Sequence, residues 1–117
     1  MEIWFNPACS KCRAATAALD EAGVEYTVRR YLEEPPSREE LEEVLGRLGL
    51  EPWEITRVKE SEATELAGVP REAAHRDRWL DALVTHPRLI QRPIITADDG
   101  TTVVGRDPDS LGRVLPS

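Results

Sequence analysis

Cys9 and Cys12 are the only two thiols in the chain, and they stand three positions apart. They follow a short apolar run, Ile3-Trp4-Phe5, and open a stretch with helical spacing. A cysteine at a helix start faces unpaired backbone N–H groups and the positive end of the helix dipole, and both favour the thiolate. Residues three apart on a helix lie on nearly the same side, with Cα atoms roughly 5–6 Å apart, within the range a disulfide tolerates. Cys9, at the N-terminal end of the turn, is therefore the candidate nucleophile. Cys12 lies one turn in, on the stripe that holds Ala15 and Leu19, so it is expected to be more buried. From there it can attack an adduct on Cys9 and release it as a disulfide. Lys11 and Arg13 add positive charge that favours the Cys9 thiolate. Two plainer readings compete. A zinc half-site would need two further ligands, and only His75 and His86 are available, eleven residues apart, so no metal is expected. Two inert buried thiols would fit better in mid-helix than at a helix start.

The elements that must position this pair follow from hydrophobic period and turn chemistry. Residues 2–5 read as a short buried strand, and Asn6-Pro7-Ala8 as a loop. Residues 10–22 read as a helix, with Cys12, Ala15, Leu19 and Ala22 on one face and Gly23 as its stop. Val24, Tyr26 and Val28 alternate as in a second strand. Ser37 and Glu40 form a capping-box signature ahead of Leu41, Val44, Leu45 and Leu48, and Gly49 closes that helix. Residues 51–68 predict one or two short helices around Trp53 and Leu66. A clearer helix runs over 76–84, ended by Pro87. Residues 93–96 and 101–104 read as two strands joined through Asp98-Asp99-Gly100, a hairpin signal. Asp107-Pro108 starts a last helix carrying Leu111, Val114 and Leu115. The order is β-α-β-α, a helical middle, then β-β-α, which predicts an α/β sheet covered by helices. Trp4, Trp53 and Trp79 sit among apolar neighbours as packing residues. His75 is expected to be exposed, and His86 to bond the last carbonyls of its helix.

With 117 residues, 40% of them hydrophobic and 32% charged, the chain reads as one folded domain, not a disordered or membrane-embedded one. No secretory signal is legible at the N-terminus, so a cytoplasmic location is expected. There the thiols would rest reduced, as a working pair and not a staple. The net charge of −7 opposes binding to nucleic acid, and it requires any anion site to be built from a local cluster of arginines.

Asn6-Pro7-Ala8-Cys9 followed by Arg13 resembles the active-site loop of the glutaredoxin-coupled arsenate reductases, the ArsC family, which also contains the Spx regulators. The segment Tyr31-Leu32-Glu33-Glu34-Pro35-Pro36-Ser37 is similar to the family's segment before its second helix. His86-Pro87, followed by Arg92-Pro93-Ile94, resembles its most specific motif. The resemblance implies a thioredoxin/glutaredoxin-like α/β fold over a single domain, 1–117. That fold is a mixed four-stranded sheet with flanking helices and a helical insertion over about 37–86. It implies arsenate, or a similar small oxyanion, as substrate, with Cys9 as the catalytic cysteine. Arg57, Arg92 and Arg106 would be the oxyanion-binding arginines, and Pro93 the cis-proline facing Cys9. No bound cofactor is implied; the electrons would come from an external thiol, through glutathione and glutaredoxin or through thioredoxin. The chain departs from the family at two places. Phe5 stands where a typical arsenate reductase carries a thiol-tuning histidine. Cys12 is shared with the Spx branch, which implies an alternative as a redox-sensing regulator that binds RNA polymerase. A general glutaredoxin-like disulfide oxidoreductase is a third possibility.

Overall fold

The computed structural model describes residues 1–116; Ser117, the last residue of the expected domain, lies outside the described residues. The chain forms two compact units, 1–34 together with 92–117, and 35–91.

The first unit holds a four-stranded mixed sheet in the order β2-β1-β3-β4. Its strands are β1 (Glu2–Trp4), β2 (Thr27–Arg29), β3 (Ile94–Thr96) and β4 (Thr102–Val104). β1 and β2 are parallel, with Ile3 opposite Val28, while β3 runs antiparallel to both β1 and β4. A parallel pair needs a crossover, and helix α1 (Ser10–Glu21) supplies it. The α1 stripe Cys12, Ala15 and Leu19 is fully buried. Ala15 and Leu19 pack with Ile3 of β1, Ile95 of β3 and Val103 of β4, and Val114 closes the cluster from the C-terminal segment. The β3–β4 hairpin turns at Gly100, whose φ of +93° only glycine adopts freely. Thr101 N–H donates to Asp99 Oδ1 at 2.9 Å inside that turn. Asp107 caps the short helix α4 (Pro108–Gly112) by accepting from Ser110 N–H at 2.8 Å.

Two sequence expectations need correction in this unit. The strand expected over 24–28 begins only at Thr27, because the preceding residues finish α1: Val24 N–H donates to Leu19 O at 3.1 Å. Tyr26 turns its hydroxyl onto Asp20 of that helix at 2.7 Å. β2 is an edge strand, so Val28 is 44% exposed despite its apolar character. Ala22, expected on the buried stripe, is exposed at the C-cap of α1.

The second unit is helical. Ser37 caps α2 (Arg38–Leu48) in a full capping box with Glu40, the two reciprocal bonds being 3.1 and 3.0 Å. Gly49 ends the helix in the left-handed region at φ +69°. α2 packs against α3 (Arg76–Thr85), and Arg38 bridges Asp77 and Asp81 of α3 while Arg76 reaches back to Glu42. Between them, the short helices expected over 51–68 are the 3-10 segments Pro52–Ile55 and Ser61–Leu66, and a further 3-10 turn, Ala73–His75, leads into α3. Leu41, Leu45, Ile55, Leu80 and Leu83 are fully buried. Trp53 and Trp79 meet edge to face with ring centroids 6.4 Å apart. His86 closes α3 with its backbone N–H on Ala82 O at 2.8 Å, while its ring faces Glu65 instead of the helix carbonyls. The His75 side chain is 43% exposed and lies 3.2 Å from Glu72. No described helix is long and apolar enough to cross a membrane.

Candidate active site

The Asn6–Cys9 loop is a tight turn built by its own residues. The Asn6 side chain accepts from Ala8 N–H at 3.0 Å, and Asn6 O accepts from Cys9 N–H at 3.0 Å. This turn delivers Cys9 as the N-cap of α1, with extended dihedrals of φ −94° and ψ 122°. A serine or asparagine at an N-cap offers oxygen to the free N–H groups of the first turn; here a sulfur occupies that place. Cys9 is 9% exposed and Cys12 0%, so the first cysteine is the more accessible, though it is not an open surface thiol.

Burial pushes the Cys9 thiol up, but the other influences win and bring it down to about 7. They are the backbone N–H of Cys12, the Arg92 guanidinium, the Cys12 thiol and the backbone N–H of Lys11. Cys12 moves the opposite way, to about 11, chiefly because it is desolvated. The Asn6 backbone N–H opposes that rise, while the negative charge of Cys9 adds to it. The pair therefore divides its roles as a nucleophile held ionised and a second thiol held protonated. Alkylation with iodoacetamide should follow the thiolate: the rate rises with pH, is half-maximal near pH 7 and levels above it, with a single modified cysteine. A midpoint at the ordinary thiol value of roughly 8.5 would mean that neither the helix end nor Arg92 acts on the sulfur.

The positive charge at the thiol comes from a distant part of the sequence. Arg92 precedes a cis peptide bond to Pro93 and lies at the entry to β3, which pairs with β1. Burial works against its charge, yet Cys9 and Tyr31 outweigh that and favour the charged form. Arg106, just past β4, donates through Nη1 to the Arg92 carbonyl at 2.7 Å and so braces the segment that carries the first guanidinium. Between β4 and Arg106 stands Gly105, whose N–H donates to Pro93 O at 2.8 Å. A Cβ there would meet Ile95 Cδ1 at 2.7 Å and Leu111 Cδ2 at 3.1 Å, so a side chain at this position would force those side-chain ends to shift.

A model of the ArsC family matches residues 4–114. This chain belongs to the ArsC family. Among relatives of the ArsC-family chain, an uncharacterised protein of the glnII region in Streptomyces viridochromogenes is 63% identical over 98% of both chains. An arsenate reductase of Neisseria meningitidis serogroup A is 38% identical, covering 98% of this chain and 97% of the relative. The solved structure of an arsenate reductase from Vibrio cholerae superposes with a TM-score of 0.86, at 37% identity and 98% coverage of both chains. The fold is thus the thioredoxin-like one of this family, as the β-α-β-α…β-β-α order implies.

Within this ArsC-family chain, Cys9, Cys12, Arg92, Pro93 and Arg106 all lie in the sheet-bearing unit. Arg57 lies in the helical unit, with its segment laced to residues 89–91: Arg57 N–H donates to Leu89 O at 2.6 Å and Gln91 N–H to Ile55 O at 2.8 Å. Its guanidinium is held by Glu60, at 3.3 Å through Nε and 3.2 Å through Nη2. Lys11 and Arg13 are the residues expected to favour the thiolate with their side-chain charges, and the structure gives each a further contact. Lys11 reaches Cys9 through its backbone N–H, and its ammonium charge is felt by Asp107. The Arg13 guanidinium donates to Pro7 O at 2.9 Å and so ties down the loop. Tyr31, read in the sequence only as part of a motif, stands beside Arg92 with both sulfurs in range of its charge. No local signal marks it, because its place depends on the parallel pairing of β1 with β2. Among the described residues no group of three or more His, Cys, Asp or Glu could hold a metal ion.

Proposed function

We propose that this chain is a thiol-dependent arsenate reductase. The reading rests on one observation above all: a thiol brought down to about 7 sits at the open N-terminus of α1 with a guanidinium beside it. Backbone donors, a helix dipole and an arginine fork together suit a small tetrahedral oxyanion. The relatives named arsenate reductase in Neisseria meningitidis and Vibrio cholerae, at 38% and 37% identity, support the same substrate.

In the proposed reaction, the Cys9 thiolate attacks As(V). A sulfur–arsenic bond forms as an arsenic–oxygen bond breaks, and the displaced oxygen leaves as water after taking up protons. A second thiolate then attacks Cys9 Sγ. A disulfide forms, and the electron pair of the sulfur–arsenic bond passes to arsenic, which departs as arsenite. Arg92 stabilises the anion through its guanidinium, with Arg106 as a further arginine of the oxyanion site and Pro93 facing Cys9. Cys12 is the proposed second thiol. Part of what holds it protonated is the charge of Cys9 and the hydrogen bond between the two sulfurs. Both vanish once Cys9 is bonded to arsenic, so adduct formation itself lowers the barrier to ionising Cys12. Glutaredoxin with glutathione, or thioredoxin, then reduces the disulfide.

The test is an arsenate reduction assay on the purified protein, run with glutathione and glutaredoxin and separately with thioredoxin. Arsenite formation with at least one donor is expected; none with either overturns the reading. Cys12→Ser should stall with thioredoxin as a Cys9 adduct visible by mass spectrometry and recover turnover only when glutathione is added. Unchanged kinetics without glutathione would show that Cys12 takes no part.

A further inference from the structure

Tyr31 lies in the turn that leaves β2, where Glu33 N–H and Glu34 N–H both donate to Arg30 O, at 3.0 and 2.9 Å. Because β1 and β2 are parallel, this turn and the Asn6–Cys9 loop emerge from the same end of the sheet. Phe5 N–H on Arg29 O at 2.8 Å pins the two exits together. The C-terminal ends of neighbouring parallel strands are where open α/β sheets hold their ligands. The Tyr31 side chain is 0% exposed, and its hydroxyl has no hydrogen-bonding partner. Nε of Arg92 is buried and unpartnered as well. The hydroxyl stands beside that guanidinium, with Cys12 and Cys9 also in range of its charge.

Two adjacent buried donors without an acceptor are costly. Leaving a buried polar group unpaired forfeits its hydration without return, and such groups are rare in folded proteins. What each proton lacks is an acceptor. The guanidinium can lend a proton to the phenol oxygen, but it only donates, so it offers nothing to the phenol's own proton or to Nε. A phenol held at about 12 stays a neutral donor throughout the working pH range.

We propose that Tyr31 is a direct ligand of the tetrahedral oxyanion, its Oη donating to an oxygen that also accepts from Nε of Arg92. The proposal rests on the arsenate reading for its substrate but concerns the anion site itself. A neutral donor adds binding without adding charge, so it complements a site whose positive charge already serves the thiolate.

The test uses Tyr31→Phe, which keeps the buried ring. Anion occupancy is read as protection of Cys9 from iodoacetamide by arsenate, phosphate or sulfate, and turnover is measured in parallel. A hydrogen bond to a charged group lost in this way weakens binding by roughly ten- to a hundredfold. The concentration of arsenate giving half-protection should rise by that factor, and the arsenate KM with it, while the pH midpoint of alkylation without anion stays in place. The melting temperature of the anion-free variant should equal or exceed that of the wild type, since an unpartnered hydroxyl has been removed, and the rise caused by saturating sulfate should shrink. Equal protection of wild type and variant overturns the proposal, as does a melting temperature lowered by loss of a structural hydrogen bond. If the wild type is protected but does not reduce arsenate, weaker protection of the variant upholds the Tyr31 site while the reductase reading falls. If no anion protects the wild type, both fall.

Discussion

Cys9→Ser is expected to abolish arsenate turnover, with a loss of at least about 10⁴-fold, the scale seen when a nucleophile is removed from a site that otherwise keeps its binding groups. The reason is chemical. Serine fits the N-cap at least as well as cysteine does, so the helix start and the fold should be preserved or improved. What is lost is a group brought down to about 7 and therefore substantially ionised at neutral pH. A serine hydroxyl in the same place stays protonated and cannot form the sulfur–arsenic bond or a disulfide. The check is arsenite production by the variant under saturating donor, beside a thermal melt to show that the protein is folded. A folded, active Cys9→Ser variant would eliminate the mechanism.

Arg92→Ala should be the next most damaging change, lowering kcat/KM by about 10²–10³-fold, as removal of one preorganised donor to a developing or bound anion does. Two effects add. The oxyanion loses its guanidinium, and the Cys9 thiolate loses the strongest side-chain partner that opposes its burial. The sign of the second effect is fixed: desolvation disfavours the thiolate, so without Arg92 the alkylation midpoint must move above 7. Less of the nucleophile is then ionised at neutral pH, and the activity loss should be partly recovered as pH rises. Arg92→Lys keeps a charge but not the planar fork, so it should restore more of the alkylation midpoint than of arsenate affinity. An Arg92→Ala variant with an unmoved midpoint would show that the helix end alone holds the thiolate.

The local part of the structure was legible in the residues because its causes are local. The Ser37–Glu40 box, the Asp99-Gly100 turn, the Asp107-Pro108 cap and the Cys12-Ala15-Leu19 stripe each need only a few neighbouring residues. Cys9 at a helix start is of the same kind, and so the pair of thiols and their unequal burial could be foreseen. The β2 boundary could not, because Val24 and Tyr26 alternate like strand residues yet serve the end of α1 through Leu19 and Asp20. Alternation reports side-chain polarity and says nothing of which hydrogen bonds win.

The resemblance to arsenate reductases named Arg92 as an arginine of the anion site that would also lower the Cys9 pKa, but nothing near Cys9 in the sequence shows how this residue reaches the sulfur. Lys11 and Arg13 are close along the chain and charged; Lys11 also reaches Cys9 through its backbone, and Arg13 donates to Pro7 O. Arg92 is remote along the chain and reaches Cys9 only because β3 pairs with β1 beyond a cis peptide bond, with Arg106 bracing its carbonyl. Tyr31 reaches the same place through the parallel pairing of β2. Sequence alone thus determined the chemistry available, two thiols at a helix start and an order of elements that makes a mixed sheet. The tertiary structure decided which charges and hydroxyls attend the sulfur, since side-chain fields fall off over a few ångströms and only strand register brings residues 9, 31 and 92 within that range.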